Sequence, residues 1–251
     1  MPRILLLNPN TSADFTEKIG RIARAYAQPS TQILALNPAS GPRSIEGIYD
    51  ELLSAAPTLE VALRHLDDVD AISIACFSDH PTVYALRELT ELPVLGIAEA
   101  GMHLACLVGR AFSVVTTNHA WRPLLLDAAR RFGLAERCAS VRATGLPVLA
   151  LEGSGQATVT EQIRDQARLA LDQDHAEVIV LGCAGMAGLD KELEAELRVP
   201  VVDGVAASVK LLESLAGYGL RTSKRQTYAT PAPKPLDGLD PLFEKPYRAE
   251  P

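Results

Sequence analysis

Short apolar runs alternate along this chain with longer stretches in which apolar positions recur every three or four residues. The first run, RILLLN at 3–8, is followed by the amphipathic stretch TSADFTEKIGRIARAYA at 11–27. Alternation of this kind is typical of parallel sheets covered by helices, so it predicts an α/β fold. The pattern continues through TQILALN at 31–37, AISIAC at 71–76, PVLGIA at 93–98, AFSVVTT at 111–117, CASVRAT at 138–144, VIVLGC at 178–183 and VPVVD at 199–203.

Two local signals refine the predicted helices. Thr11 or Ser12 can cap the first helix, because a hydroxyl accepts a hydrogen bond from an unpaired amide of the first turn. The helical stretch at 48–66 contains Pro57. Proline lacks the amide that a helix needs, so we expect this helix to break or kink there.

The two halves of the chain share landmark residues at a constant sequence offset. Cys76 and Cys183 each follow the third apolar run of their half, and they are 107 positions apart. Pro93 and Pro200 each open the fourth run at the same offset. Landmarks in one register indicate an internal duplication, with four strands in each half.

The duplication predicts where a ligand site lies. Ligands of open α/β sheets bind beyond the carboxyl ends of the strands, and Cys76 and Cys183 both fall there. The same offset pairs Asn10 with Thr117 at the ends of the first strands. If the halves face each other, the two thiols lie on opposite sides of one cleft.

Two opposed thiols suit one chemistry especially well. A thiolate on one face removes a proton from carbon, and a thiol on the other face returns one, which inverts a stereocentre. A free thiol has a pKa near ~8.5, and the positive end of a helix can lower it. SDHPTVY after Cys76 predicts a helix start, and AGMAG after Cys183 can direct amide N–H groups at an enolate-like intermediate.

The composition disfavours several classes of protein. The 251 residues are 47% hydrophobic and 22% charged, which permits one large domain or two small ones. The net charge of -7 offers no basic surface for nucleic acid. No apolar run approaches the ~20 residues that span a membrane, and the first run lacks a signal-peptide cleavage site, so we expect a cytoplasmic protein that binds no membrane.

Neither a metal nor a cofactor is predicted. The four cysteines and five histidines show no zinc spacing, and no G-x-G-x-x-G follows the first strand, which disfavours a dinucleotide-dependent dehydrogenase. A reducing compartment disfavours disulfides. We interpret Cys106 and Cys138 as small buried hydrophobes.

Six sequence motifs, which occur in a fixed order, carry a resemblance to a known family. Through these motifs the chain resembles the aspartate/glutamate racemase superfamily, and within it the hydantoin and allantoin racemases, over about residues 3–217. The motifs are NPNTS at 8–12, GPRSIEGIYDE at 41–51, ACFSDHP at 75–81, VVTT at 114–117, LGCAGM at 181–186 and VDGVAASVKLL at 202–212.

The resemblance implies two flavodoxin-like domains with the active site between them, and cofactor-independent racemisation by Cys76 and Cys183. It also implies that the last helix crosses back to the first domain. The predicted domains are 1–97 plus 204–221, 98–203, and a tail at 222–251. The tail holds six of the 17 prolines and no periodicity, so we expect it to drape over the body or a partner subunit, or to be partly disordered.

Amides and hydroxyls at the strand ends favour a neutral ring as the substrate. Asn8 and Asn10 end the first strand, and VVTT offers hydroxyls. Relatives that act on free acidic amino acids resemble this pattern but carry an acidic residue near the first strand. A cyclic ureide, with its own C=O and N–H groups, fits amides and hydroxyls better than a zwitterion does. An alternative role for each asparagine is an Asx-turn that caps the helix.

The remaining candidates surround the two cysteines. By resemblance, Ser44 and Ile45 form a pocket wall, and the alternative is an ordinary glycine–proline loop. The backbone amides that adjoin each cysteine are candidate oxyanion donors because of their position. We interpret His80 and His119 as parts of helix starts and Trp121 as the cover of a helix face or a subunit contact. The SDHP turn departs from many relatives and leaves the substrate's side chain open. The predicted substrate-binding set is Asn10, Ser44, Ile45, Phe77, Ser78, Thr116, Thr117, Gly182, Ala184 and Gly185.

The leading hypothesis is a racemase of 5-substituted hydantoins or allantoin that forms a homo-oligomer. An amino-acid racemase, or another cysteine-dependent member such as a decarboxylase, is the nearest alternative, although decarboxylases typically keep one catalytic cysteine. A two-lobed ligand-binding module is a further alternative. The paired cysteines and the absence of an export signal argue against it.

Overall fold

The computed structural model of the protein describes residues 2–151 and 156–248. In these ranges the eight predicted strands form two parallel sheets. The first sheet contains β1 (Arg3–Leu7), β2 (Gln32–Leu36), β3 (Ala71–Ile74) and β4 (Val94–Gly96), in the order β2-β1-β3-β4. Its helices are α1 (Ala13–Tyr26), α2 (Ile48–His65), α3 (Pro81–Leu89) and α4 (Ile97–Val108).

The second sheet repeats the first. It contains β5 (Phe112–Thr116), β6 (Cys138–Ala143), β7 (Val178–Leu181) and β8 (Val201–Asp203), in the order β6-β5-β7-β8. β7 and β8 begin and end at the same offset from β3 and β4 that separates the two cysteines, so the predicted fold class is confirmed. Helices α5 (Trp121–Arg131), α6 (Gln156–Asp174) and α7 (Asp190–Leu197) pack on this sheet. The last two helices are α8 (Gly204–Tyr218), which lies between the sheets, and the short α9 (Lys245–Arg248) in the tail.

In each sheet, the pairing register places the carboxyl ends of the two central strands side by side. Leu7 of β1 pairs with Ile74 of β3, and Val115 of β5 pairs with Leu181 of β7. The central strands are buried along almost their whole length, because helices cover both faces of each sheet. The residues that follow these strands therefore emerge together at one edge of each sheet.

Helices α4 and α8 pack between the two sheets. α4 contacts β4, β5, β7 and β8, and α8 contacts β3, β4, β8 and α1. Their close approach depends on Gly204, where an added Cβ would lie 2.7 Å from the carbonyl oxygen of Ile97. The contact between α8 and α1 is what the resemblance implies for the last helix, while the proposed domain boundaries stay a prediction.

The two helix signals have different outcomes. Ser12 caps α1 by accepting a hydrogen bond from the amide of Phe15 at 3.2 Å. Of the break or kink expected at Pro57, the break is wrong, because α2 continues through this residue, and the kink stays a prediction. Pro57 leaves the carbonyl of Leu53 without its helical amide, but Leu53 is exposed, so water can satisfy that oxygen.

The described part of the tail drapes over the body. The amide of Thr222 donates to the carbonyl of Glu91 at 2.8 Å, and its hydroxyl donates to the carbonyl of Leu92 at 2.7 Å. Lys245 pairs with Asp67 beyond the end of α2 at 2.6 Å. Residues 249–251 lie outside the described residues. Across residues 2–151 and 156–248, no helix combines the length and the apolar character that crossing a bilayer requires.

Candidate active site

A cleft lies at the carboxyl ends of the central strands of both sheets. The segments that follow β1 and β3 form one side, and those that follow β5 and β7 form the other. Cys76 and Cys183 both line this cleft, and both are free thiols. The other lining residues are Asn8, Pro9, Asn10, Phe15, Ile45, Ala75, Phe77, Thr117, Trp121, Val148, Gly182 and Ala184.

Cys76 follows β3 and lies among groups that favour its neutral form. Burial raises the pKa of its thiol, and the nearby Glu51 carboxylate and Cys183 thiolate raise it further. The hydroxyl of Ser78 acts in the opposite direction, because it donates to the sulfur at 3.4 Å. Removing a proton from Cys76 therefore requires help from its surroundings.

Cys183 follows β7 and ionises more readily. Burial raises the pKa of its thiol to about 11, with a smaller contribution from Glu46. The amide of Gly185 donates to the sulfur, and the positive charge of Lys18 lies nearby, so both lower that pKa. The two thiols thus lie in related positions but in electrostatically different surroundings.

The asparagines of the first strand end form a buried network. The side-chain amide of Asn8 donates to Asn10 Oδ1 at 2.8 Å and to the hydroxyl of Thr16 at 3.0 Å. Asn10 Oδ1 also accepts from the amide of Ser12 at 2.9 Å, as an Asx-turn requires. The Asx-turn is therefore formed and both residues line the cleft, while their contact with a substrate stays a prediction.

Thr116, the last residue of β5, and Thr117, which follows it, lie in different places. Thr117, the symmetry partner of Asn10, lines the cleft. Thr116 donates its hydroxyl to the carbonyl of Gly182 at 2.9 Å, which fixes the segment that carries Cys183. Thr116 therefore positions the segment that carries Cys183 without lining the cleft itself.

The predicted site residues form two groups in the structure. The cleft lining includes both cysteines and Asn10, Ile45, Phe77, Thr117, Gly182 and Ala184. The others lie beside the cleft wall: Ser44, whose hydroxyl donates to Glu46 at 3.1 Å, and Ser78, Thr116 and Gly185.

Glycine is required by close packing at two of these positions. A Cβ at Gly182 would lie 2.8 Å from the carbonyl oxygen of Val115 and 2.9 Å from Thr116 Cβ. A Cβ at Gly185 would lie 2.5 Å from the ring of Phe15. The segment around Cys183 can therefore pass close to β5 and α1 only without side chains at these two positions.

Three large side chains of the cleft were missed by sequence reasoning. Trp121 is buried against the cleft, where we expected the cover of a helix face or a subunit contact. Its position just beyond β5, at the start of a helix, is the signal that could have found it, as is true of Phe15 at the start of α1. Val148 begins a short 3₁₀ helix, Val148–Leu151, and nothing local in the sequence points to it.

The two histidines lie at helix starts, as predicted. His80 is the N-cap of α3, where its Nδ1 accepts from the amide of Thr82 at 3.3 Å. Its Nε2 lies 3.0 Å from the hydroxyl of Ser54, and burial lowers its pKa to about 4. The carbonyl of His119 accepts from the amide of Arg122 at the first turn of α5.

Among residues 2–151 and 156–248, no group of three or more His, Cys, Asp or Glu side chains is arranged to hold a metal ion. The cleft offers amides, a hydroxyl, two thiols and apolar walls. Independence from cofactors stays a prediction.

Comparison with known proteins identifies the family. The family model described as Asp/Glu/hydantoin racemase matches residues 4–212. This chain belongs to that family. The resemblance seen in the sequence motifs is thereby confirmed, and the chain is an enzyme of the racemase type.

Relatives and solved structures within the family match almost the whole chain. A hydantoin racemase from a Pseudomonas species is 41% identical over 94% of this chain and 94% of its own length. Allantoin racemase from Klebsiella pneumoniae superposes with a TM-score of 0.93 at 45% identity, covering 99% of this chain and 100% of that structure. Allantoin racemase from Pseudomonas fluorescens gives 0.91 at 45% identity, covering 94% and 100%.

Proposed function

We propose that this protein is a cofactor-independent racemase that inverts C5 of 5-substituted hydantoins, with Cys76 and Cys183 as the two acid–base groups. Allantoin belongs to this substrate class, because it is a hydantoin that carries a ureido group at C5. The observation that carries the proposal is the presence of both thiols in one cleft, at equivalent strand ends of two repeated sheets. The names of the relatives support the substrate class.

The proposed reaction needs one proton transfer on each face of the ring. A thiolate on one side takes the C5 proton, and the electron pair spreads onto the adjacent carbonyl as an enolate. The thiol on the other side then gives its proton to C5 from the opposite face. The product has the inverted configuration, and the two cysteines have exchanged protonation states.

The hydantoin ring suits these bases better than a free amino acid does. Its C5 proton lies next to a neutral carbonyl, whereas the α-proton of an amino acid lies next to a carboxylate, which resists further negative charge. Thiols, which are moderate bases, can therefore act on the ring without a metal or pyridoxal group.

The charge of the cleft supports the same substrate class. Among the described residues that line it, none carries a formal charge apart from the ionisable thiols. A zwitterion placed there would leave its ammonium and carboxylate without partners, which is costly. A ring with C=O and N–H groups can bond to Asn8, Asn10 and Thr117, and its C5 substituent can contact the walls formed by Phe15, Ile45 and Trp121.

Backbone amides beside the cysteines are proposed to hold the developing negative charge. Phe77 and Ala184 line the cleft next to the two thiols, so their N–H groups are candidates for donors to the enolate oxygen. The amide of Gly185 already donates to the sulfur of Cys183, so its proposed role is to stabilise the thiolate.

Racemisation of single enantiomers tests the proposal. Purified protein, dialysed against a chelator, is incubated separately with one enantiomer of allantoin, of several 5-substituted hydantoins, and of aspartate and glutamate, and the products are resolved by chiral chromatography. We expect racemisation of the ring compounds only. Comparable turnover of aspartate or glutamate would establish the amino-acid racemase, and binding without turnover would establish the ligand-binding module. The homo-oligomer and the cytoplasmic location stay predictions.

A further inference from the structure

A second hollow lies behind the cleft on the side of Cys76. It is lined by residues of α2, α5 and the segment after β3, among them Glu51, Ser78, Asp79 and Arg131. Trp121 lines both this hollow and the cleft, so the two cavities share a wall. The hollow therefore reaches Ser78, the neighbour of Cys76, from outside the substrate site.

A line of polar groups connects that hollow with the thiol. The hydroxyl of Ser78 donates to Cys76 Sγ at 3.4 Å. Ser78 and Glu51 line the same hollow, and Ser78 lies close enough to lower the pKa of the Glu51 carboxyl group. Oε1 of Glu51 is buried and has no hydrogen-bond partner among the described residues. A carboxyl oxygen in this situation costs free energy, which marks Glu51 as a group that needs a functional explanation.

The proposed reaction creates a need for such a path. After one enantiomer is inverted, each cysteine holds the protonation state that its partner had before. The next molecule of the same enantiomer can react only after both thiols have been reset. Cys76 is partly exposed, and it lines the substrate cleft. At saturation substrate fills that cleft and keeps water from the thiol, so a chain of exchangeable groups on the other side must then carry its proton.

We propose that Glu51 and Ser78 form a proton relay that connects Cys76 with the outer hollow and resets this thiol between turnovers. The inference rests on the proposed two-cysteine racemase. To protonate the Cys76 thiolate, the Glu51 carboxyl group gives its proton to Ser78 Oγ, and Ser78 gives its own hydroxyl proton to Sγ. The Glu51 carboxylate then takes a proton from water in the hollow. Every transfer runs in reverse when the Cys76 thiol must lose its proton.

The surroundings of Glu51 fit a group that gains and loses a proton. Burial raises the pKa of its carboxyl group, and Asp79 raises it further, whereas Ser78 and Arg131 lower it. Arg131 also pairs with Asp79 at 2.6 Å, so the two charges that face Glu51 largely offset each other. Glu51 in turn raises the pKa of Cys76, which couples the proton of one group to that of the other.

Glu51→Gln tests the relay, because glutamine keeps the size of a protonated carboxyl group but cannot pass a proton on. At low substrate concentration the free enzyme resets fully before each encounter, so kcat/KM does not depend on the relay. At saturation the reset limits turnover. We expect Glu51→Gln to lower kcat about tenfold or more and to leave kcat/KM within about twofold, measured with single enantiomers of the best hydantoin substrate.

Two further variants complete the experiment. Ser78→Ala should reproduce the loss of kcat, and the double variant should lose no more than either single variant, because both changes interrupt one path. Glu60→Gln on the same helix removes an exposed carboxylate that pairs with Arg64, so it should leave both constants unchanged.

Each outcome decides the matter. An unchanged kcat in Glu51→Gln overturns the relay. An equal fall of kcat and kcat/KM also overturns it, because that result means that Glu51 only holds Cys76 in place. A wild-type protein that racemises no hydantoin overturns the proposed function itself, and this result is distinct from an active wild type with an equally active Glu51→Gln variant.

Discussion

Lys18 of α1 reaches the segment that carries Cys183, where its Nζ donates to the carbonyl oxygen of Gly185 at 2.6 Å. The contact fixes the segment and also brings a positive charge near the sulfur, which lowers the pKa of Cys183. Cys76 faces the Glu51 carboxylate instead. The repeated halves have thus diverged around their thiols, and Cys183 is the better candidate for the thiolate of the resting enzyme.

Lys18→Met should make Cys183 harder to ionise. The loss of the positive charge raises the pKa of the thiol, so less thiolate is present at a given pH and alkylation of Cys183 should slow by about tenfold near pH 8. The measurement is the rate of iodoacetamide labelling at each cysteine, followed by mass spectrometry. Lys191→Met, which removes an exposed lysine that pairs with Glu194, is the control. Equal labelling of Cys183 in the wild type and Lys18→Met would contradict this assignment.

The four cysteines should separate into two classes. Cys76→Ser and Cys183→Ser should each lower racemisation by about 100-fold or more, because a serine hydroxyl is too weak an acid to replace a thiol. Cys106→Ser and Cys138→Ser should retain turnover and change mainly the unfolding temperature, since neither lines the cleft. Chiral chromatography and thermal unfolding of all four variants make the comparison. Full activity of Cys183→Ser would remove it from the mechanism.

Much of the fold and of the candidate site could be predicted from local sequence patterns. The apolar runs, the shared offset and the cysteines after the third strands predict two repeated sheets and a cleft, because burial and strand order depend on short-range patterns. Trp121 and Val148 illustrate what local patterns miss, since their positions depend on how segments fold over the cleft. The absence of a break at Pro57 has a similar origin, because the exposure of Leu53, whose carbonyl loses its helical partner, is a property of the folded chain.

Gly182→Ala should destabilise the protein by about 1–3 kcal/mol, since the added methyl group would clash with the backbone of β5 and neither partner can move freely. Gly217→Ala is the matched control. It lies exposed in α8 with open space around it, so alanine should stabilise the protein by about 0.5–1 kcal/mol through better helix propensity. Urea unfolding measures both changes. Equal stability of the two variants would show that the segment around Cys183 can relax.

His80 should make stability fall in mildly acidic solution. Its pKa is about 4 in the folded protein and about 6.5 in the unfolded chain, so the unfolded chain binds the proton more readily between these values. The contribution of the neutral His80 to stability is fully present above about pH 6.5 and is lost as the pH falls towards 4, by about 3 kcal/mol in total. His80→Asn, which keeps an N-cap acceptor, should flatten this dependence relative to the wild type. His103→Asn, which removes an exposed imidazole, should leave it unchanged.

Deuterium incorporation tests whether Cys76 and Cys183 serve opposite faces of the substrate. A thiol carries one proton, so in heavy water the cysteine that protonates the ring delivers solvent deuterium. The inverted product should therefore contain deuterium at C5 after nearly every turnover. The recovered substrate should lag behind, because return of the proton from the first thiol restores the original hydrogen.

Initial-rate NMR of both enantiomers, with uncatalysed exchange subtracted, measures this difference. Each single serine variant adds a control, since the remaining cysteine can still exchange the proton of the enantiomer that it faces, without inversion. A single base that serves both faces would carry some original hydrogen into the product. Product that keeps its original hydrogen at early times would therefore exclude the two-base mechanism, even if both cysteines prove essential for turnover.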